Sequence, residues 1–173
     1  MFYNGSVTLP TYKYDIAPQY DYVAQSDCRN LPLNNTSISS IMFDPPFLAT
    51  TGKSLESKDY NNIIAKRFSV FSSEKELYKF YIDSMAEFYR ILKNDGILVF
   101  KCQDKISSGK QYMSHVFIMN EAVKLGFYPI DLFILLSKNR LVADWQLNNQ
   151  KHARKFHCYF WVFQKTNRVI EYI

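Results

Sequence analysis

Apolar positions along the chain switch between two periods. Short runs at residues 12–16 and 20–25 read as strands, stopped by Asp15 before Ile-Ala-Pro and by Ser26-Asp27. A third run, residues 37–43, ends abruptly at Asp44-Pro45-Pro46, because proline cannot donate to a strand ladder. From Leu77 the period becomes helical: Leu77, Phe80, Tyr81, Met85, Phe88, Ile91 and Leu92 recur on one face. Ser72 or Ser73 can cap this helix, and Glu74 and Glu76 sit in its first turn, where the helix dipole favours acids. Asn94-Asp95-Gly96 is expected to end it. Residues 97–102 are apolar apart from one lysine, the pattern of a buried parallel strand. Ser107-Ser108-Gly109 then opens a second helical stretch, residues 111–125, stopped by Gly126. Residues 128–136 and 156–164 are rich enough in aromatic and β-branched side chains to be strands.

The predicted order is β-β-β-α-β-α-β-β. Helices between strands predict an α/β fold with a mostly parallel sheet. No helix separates the last two strands, so they are expected as an antiparallel pair at one edge. A length of 173 residues predicts a single domain, 1–173. With 47% hydrophobic and 21% charged residues, the chain can bury a core and is not intrinsically disordered. No apolar run approaches the roughly 18 residues of a membrane span. The start of the chain lacks the cationic and apolar blocks of a leader. Cys28, Cys102 and Cys158 are widely spaced and odd in number, which excludes a disulfide framework and a Cys-x-x-Cys zinc site and points to a reducing, cytoplasmic setting. Cys102 and Cys158 read as core thiols. No set of His, Cys and acidic residues has metal-ligand spacing.

The net charge of +5 gains meaning from its placement. Lys53, Lys58, Lys66 and Arg67 lie in a long polar connection at residues 49–72, where long loops are often functional. Lys138, Arg140, Lys151, His152, Arg154 and Lys155 lie in a second connection, with Trp145 among them. Cations with an aromatic suit a surface that tracks phosphates and stacks bases; a solvated hairpin loop is the alternative. His157 opens the last strand, either orienting a site residue or simply half-buried. His115, on the second helix, is given no role.

The sharpest chemical feature is Phe43-Asp44-Pro45-Pro46-Phe47. Asp44 would sit at the carboxyl end of a strand, where open α/β sheets bind ligands. The two prolines stiffen the turn and leave carbonyl acceptors. A carboxylate plus a free carbonyl can accept both hydrogen bonds of a primary amino group, and the Phe47 ring can stack on the base that carries it. By itself Asp-Pro is also a common rigid turn.

Asp44-Pro45-Pro46-Phe47 resembles the [DNS]-P-P-[YFW] motif of S-adenosylmethionine-dependent amino-methyltransferases, which act on adenine N6, cytosine N4 and some RNA bases. The surrounding order is similar to that of DNA methyltransferases of prokaryotes and their phages. It runs from Ser26-Asp27-Cys28-Arg29-Asn30-Leu31-Pro32 through Ile41-Met42-Phe43-Asp44 and Arg90-Ile91-Leu92-Lys93-Asn94-Asp95-Gly96 to Phe156-His157-Cys158-Tyr159-Phe160-Trp161-Val162-Phe163. The resemblance covers roughly residues 13–165. It implies a Rossmann-like methyltransferase fold, S-adenosylmethionine as cofactor and DNA as partner, with RNA as the alternative. Asp44 and the Pro45 carbonyl would hold the target amino group in the turn completed by Pro46, and Phe47 would stack on the flipped base. Asp15, beside Ile16, would accept from the cofactor ribose. Asp27, with Cys28 beside it, would accept from the cofactor adenine, with Phe43 adjoining that site. Asp15 and Asp27 also fit simple turn roles.

The chain departs from the family at the glycine loop that should precede Asp15. It carries only five glycines against 17% aromatics, and Phe2 to Gly5 is all that precedes. Either the loop is degenerate or the chain begins late, and the central first strand is then expected to be missing. A nucleic-acid-binding pseudoenzyme, a homodimer or one subunit of a pair is the reading this departure supports.

Overall fold

The computed structural model of the chain describes residues 9–47, 49, 71–138, 152–153 and 155–170. Eight strands and two helices are assigned within them. They are β1 (Tyr14–Asp15), β2 (Ala24–Gln25), β3 (Ile38–Phe43), α1 (Glu74–Ile91), β4 (Leu92–Cys102), β5 (Lys105–Ser107), β6 (Lys110–Tyr112), α2 (Ser114–Lys124), β7 (Phe127–Leu136) and β8 (His157–Lys165).

The main sheet has the order β3-β4-β8-β7. β3 runs parallel to β4, and β8 runs antiparallel to both β4 and β7. Three of the four strands therefore point one way. The last two strands form the expected antiparallel pair at one edge, with β8 inserted between β4 and β7. The reason is visible in composition: β8 carries Phe163, fully buried beside Leu98, while β7 exposes Phe133, Ile134, Leu135 and Leu136. β1 and β2 form a separate parallel pair, and no described strand bridges it to β3. The Phe2–Gly5 segment and the glycine-loop expectation lie outside the described residues.

The pleat sorts side chains to two faces. Phe43, Phe100, Trp161 and Leu132 are register partners across the sheet and share one face. α1 and α2 cover that face, and their Leu77, Met85, Phe88, Ile118 and Ala122 complete the buried cluster around Leu98, Phe100 and Phe163. Met42, Val99, Lys101 and Phe160 belong to the opposite face. No described helix is long and apolar enough to cross a membrane.

Two local expectations need correction. α1 ends at Ile91, and Leu92 is already extended (φ −68°, ψ 138°) with its N–H closing on the Phe88 carbonyl. Asn94-Asp95-Gly96 thus falls inside β4, where the register jumps from Ile38↔Leu92 to Ser40↔Ile97. The three residues absorb a bulge, with Asp95 at φ 60°. Ser107-Ser108-Gly109 does not open a helix. It turns a short hairpin between β5 and β6, with positive φ at both Ser108 and Gly109. The second helix begins at Ser114 and stops at Gly126, whose φ of 100° suits glycine alone; a Cβ there would meet the Tyr89 hydroxyl at 2.8 Å.

Candidate active site at the carboxyl end of the parallel strands

The turn Asp44–Phe47 follows β3 directly, and three elements hold it. Tyr81 of α1 donates its hydroxyl to the Pro46 carbonyl at 2.7 Å. Lys105 of β5 donates to the Phe47 carbonyl at 2.6 Å. Lys101 of β4 donates to Asp44 Oδ2 at 2.9 Å. No described residue hydrogen-bonds the Pro45 carbonyl or Asp44 Oδ1. Among the described residues the turn therefore has two bound carbonyls, of Pro46 and Phe47, preceded by two acceptors without a partner, Asp44 Oδ1 and the Pro45 carbonyl.

The clamps are themselves built in. Tyr81 is 2% exposed, its hydroxyl acidity suppressed by burial, and its ring packs edge-on to Phe100 at 5.5 Å. Lys105 is half-buried, and burial lowers its pKa below that of a free lysine, against the opposing pull of Glu74. Glu74 Oε2 lies 2.6 Å from the Lys105 ammonium, but neither Glu74 oxygen makes a well-directed hydrogen bond among the described residues. Glu74 stands in the first turn of α1, which Ser73 caps by accepting from the Glu76 N–H. Phe43, the last strand residue, is wedged among Phe80, Phe88 and Phe100 at 4.7–6.1 Å between ring centroids. Ala49 bridges to Phe71 in parallel, so the chain leaves the turn and returns to it at neighbouring points.

The predicted cofactor side is arranged differently. β1 and β2 pair with Asp15 opposite Gln25, which sets Asp15 and the Ser26-Asp27 turn at one end of the pair. Asp15 Oδ1 accepts from the Ala17 N–H at 2.8 Å, and its second oxygen has no partner among the described residues. Ile16 beside it is exposed. Asp27 is fully engaged by Arg29, whose Nε and Nη2 reach both carboxylate oxygens at 2.6–3.1 Å. That pairing holds the Asp27 carboxyl below the usual carboxylate range. The Arg29 guanidinium lies 5.7 Å from the Phe80 ring centroid, and Phe80 adjoins Phe43. Cys28 contacts the buried Ser84 hydroxyl at 3.4 Å, and burial raises its thiol pKa. Leu31 donates its N–H to Glu87, which Arg90 grips in turn, so the 26–33 segment hangs on α1.

The structure thus brings Asp44, Pro45, Pro46, Phe47 and Phe43 together with the Asp27–Arg29 turn through Phe80. Of the cationic residues predicted to track phosphates, Lys138, His152 and Lys155 are described; Lys138 and His152 are exposed and Lys155 is half-buried. Lys53, Lys58, Lys66, Arg67, Arg140, Trp145, Lys151 and Arg154 lie outside the described residues. His157 bonds the Tyr159 hydroxyl at 3.0 Å, and His115 pairs with buried Asp104 at 2.8 Å. Sequence reasoning missed Lys101, Tyr81 and Lys105. A lone lysine in an otherwise apolar strand was the available signal for Lys101. A charge there needs a partner, and parallel register, Phe43 opposite Phe100, puts Asp44 next to it.

No protein-family model and no curated protein sequence matches the chain. Solved structures do. TTHA0409 of Thermus thermophilus, classed as a candidate DNA modification methylase, superposes with a TM-score of 0.52 at 12% identity, over 94% of this chain and 57% of that one. Its complex with S-adenosyl-L-methionine gives 0.51 at 13% identity, over 94% and 58%. PvuII DNA methyltransferase, cytosine-N4-specific, gives 0.46 at 16% identity, over 80% and 54%. The chain has the Rossmann-like methyltransferase fold. It spans a little over half the length of these proteins.

Proposed function

We propose that this chain is an S-adenosylmethionine-dependent methyltransferase, or the greater part of one, acting on the exocyclic amino group of a nucleic-acid base, with adenine N6 in DNA as the first candidate. The observation that carries this reading is the turn after β3: among the described residues Asp44 Oδ1 and the Pro45 carbonyl have no partner, while Pro46 and Phe47 are clamped. Two adjacent acceptors match the two hydrogens of an –NH₂ group. Accepting both pulls the amino nitrogen toward a tetrahedral shape and frees its lone pair for attack. As positive charge develops on that nitrogen, the Asp44 carboxylate stabilises it. Phe47 offers a ring on which the base can lie, which requires the base to leave its stack. The turn's rigidity supplies positioning, and the proton can leave to solvent after transfer, so no strong base is needed.

S-adenosylmethionine would supply the electrophilic methyl group. The residues present fit it in part. Asp15 offers for ribose hydroxyls a carboxylate oxygen that has no partner among the described residues, whereas Asp27 has both oxygens on Arg29 and must release one to accept from an adenine. TTHA0409, classed as a candidate DNA modification methylase, with its S-adenosylmethionine complex, supports the cofactor and DNA reading through fold likeness. RNA remains the second substrate reading, since the same acceptor pair suits an amino group on either polymer.

Labelled-methyl transfer to unmodified DNA and RNA tests the proposal. Asp44→Ala is expected to lower transfer by at least about 100-fold while S-adenosylmethionine binding by calorimetry stays near wild type. Transfer that survives this substitution sinks the assignment.

A further inference from the structure

Lys101 supplies the cation bonded to the Asp44 carboxylate. Its Nζ stands 2.9 Å from Asp44 Oδ2, 5.4 Å from the centroid of Phe47 and 5.9 Å from that of Phe160. The side chain is 23% exposed and Asp44 55% exposed, so the pair opens to solvent between two rings. An exposed pair in this setting contributes little to stability. Leu98, Phe100 and Cys102 are fully buried on the other face of β4, and on its own face Lys101 neighbours half-buried Val99 and Phe160, where an apolar residue would also fit. A lysine here calls for a use in the site.

We infer that Lys101 reads the ring nitrogen next to the target amino group, so that Asp44 and Lys101 together recognise the N–C–NH₂ edge of adenine or cytosine. The inference rests on the amino-methyltransferase reading above. Carboxylate and ammonium form an acceptor–donor pair one hydrogen bond apart, flanked by aromatic rings. The matching edge presents a donor, the amino group, beside an acceptor. Adenine offers this as N6 and N1, and cytosine as N4 and N3. Guanine places an N–H beside its amino group on the accessible side, and its other neighbour, N3, lies against the sugar. An ammonium there meets a donor, so guanine is disfavoured. The placement also suits the chemistry. On the reacting nitrogen itself an ammonium would oppose the developing positive charge. On the adjacent ring nitrogen it is offset by Asp44, to which it stays bonded through Oδ2, leaving Oδ1 and the Pro45 carbonyl for the amino hydrogens.

The test uses the full chain and short single-stranded oligonucleotides, oligo(dA), oligo(dC) and their RNA counterparts, against versions with 1-deazaadenine, 3-deazacytosine or 7-deazaadenine. Equilibrium binding is read by fluorescence anisotropy, and labelled-methyl transfer gives kcat and KM. One good base contact is worth about five- to 150-fold. The wild type is therefore expected to lose about ten-fold or more in KM and binding with 1-deazaadenine and 3-deazacytosine. It should treat 7-deazaadenine, altered on the other side of the amino group, like adenine. Lys101→Met should show that loss on the normal bases and no further loss on the deaza bases, while Lys101→Arg recovers part of the discrimination. A wild type indifferent to 1-deaza and 3-deaza bases overturns the role of Lys101 with no variant needed, as does a Lys101→Met protein that discriminates as the wild type does. In both cases the methyltransferase reading stands. Failure of the wild type to transfer methyl to any of the unmodified oligonucleotides removes that parent reading, and this inference with it.

Discussion

The two acidic turns of the candidate site are held by opposite means. Asp44 and the residues after it are fixed by Tyr81, Lys101 and Lys105, which lie 35, 57 and 58 residues away from their partners. Asp15 and Asp27 are fixed by Ala17 and Arg29, each two residues away. Local bonds of the second kind form in any chain that samples the turn. Long-range bonds exist only once β3, β4, β5 and α1 have assembled. The Asp44 turn is therefore as rigid as the fold itself, while the Asp27 carboxylate is engaged by its own neighbour, within a segment that Cys28 and Leu31 tie to α1. Breaking a clamp should damage catalysis through geometry. Breaking a local pair should change binding and little else.

The largest effect is expected at Lys105. Lys105→Met frees the Phe47 carbonyl and strands Glu74 in a buried position. Loss of one partner from a buried pair costs about 3 kcal/mol, and misplacement of the turn by an ångström costs about 100-fold in transfer. The double variant Glu74→Gln/Lys105→Met separates the two. It is expected to recover most of the stability, because no buried charge remains, but not the transfer. Thermal melts and transfer assays on the same preparations check this. The pH dependence has a definite sign. Burial lowers the folded-state pKa of Lys105 below its free value of 10.5. Between the folded value and 10.5 the unfolded chain binds more protons, so Lys105 makes stability rise with pH across that window. The double variant should lack that part of the rise. A single variant with wild-type transfer would mean that the turn does not depend on its clamps.

How much of this was legible in the sequence follows the same division. Asp44-Pro45-Pro46 announced its strand end because proline cannot pair in a ladder. α1 announced itself through its apolar stripe and its Ser73 cap. Asp27-x-Arg29 was legible as a turn because its bonds are local. The hairpin at Ser108-Gly109 was misread as a helix start, since Ser-Ser-Gly serves both and the short β5 and β6 carry no clear alternation. The insertion of β8 between β4 and β7 was hidden as well. Order in space depends on which strand best fills the slot beside Leu98 and Phe100, a packing property with no period of its own. Tyr81 and Lys105 were invisible for a related reason. Tyr81 looks like one more apolar position on α1, and Lys105 like an ordinary charge after a strand. Only tertiary contact assigns their polar ends to two carbonyls.

Tyr81→Phe is the milder probe of the clamped turn. It removes the hydroxyl but keeps the ring that packs on Phe100. The Pro46 carbonyl then loses its donor. One such hydrogen bond is worth about 1 kcal/mol, so roughly a five-fold fall in transfer and a similarly small loss of stability are expected. KM for S-adenosylmethionine should not move. A fall as deep as that of Lys105→Met would place most of the turn's rigidity on Tyr81 and make the lysine secondary.

The smallest effect is expected on the local side, and it has the opposite sign. Arg29→Ala releases both oxygens of Asp27. The pair is 47% and 33% exposed, so its loss costs at most about 1 kcal/mol of stability. The same figure bounds the gain. If Asp27 must leave Arg29 to accept from the cofactor adenine, S-adenosylmethionine should bind the variant up to about five-fold more tightly, and added salt should narrow the difference by weakening the pair in the wild type. Calorimetric titration at two ionic strengths reads both effects. Weaker binding in the variant would instead place Arg29 among the ligands, with Asp27 holding it for that role. The acidic turn would then be a positioned cation in a site otherwise built from acceptors, and the contrast with the clamped turn would be one of charge as well as of reach.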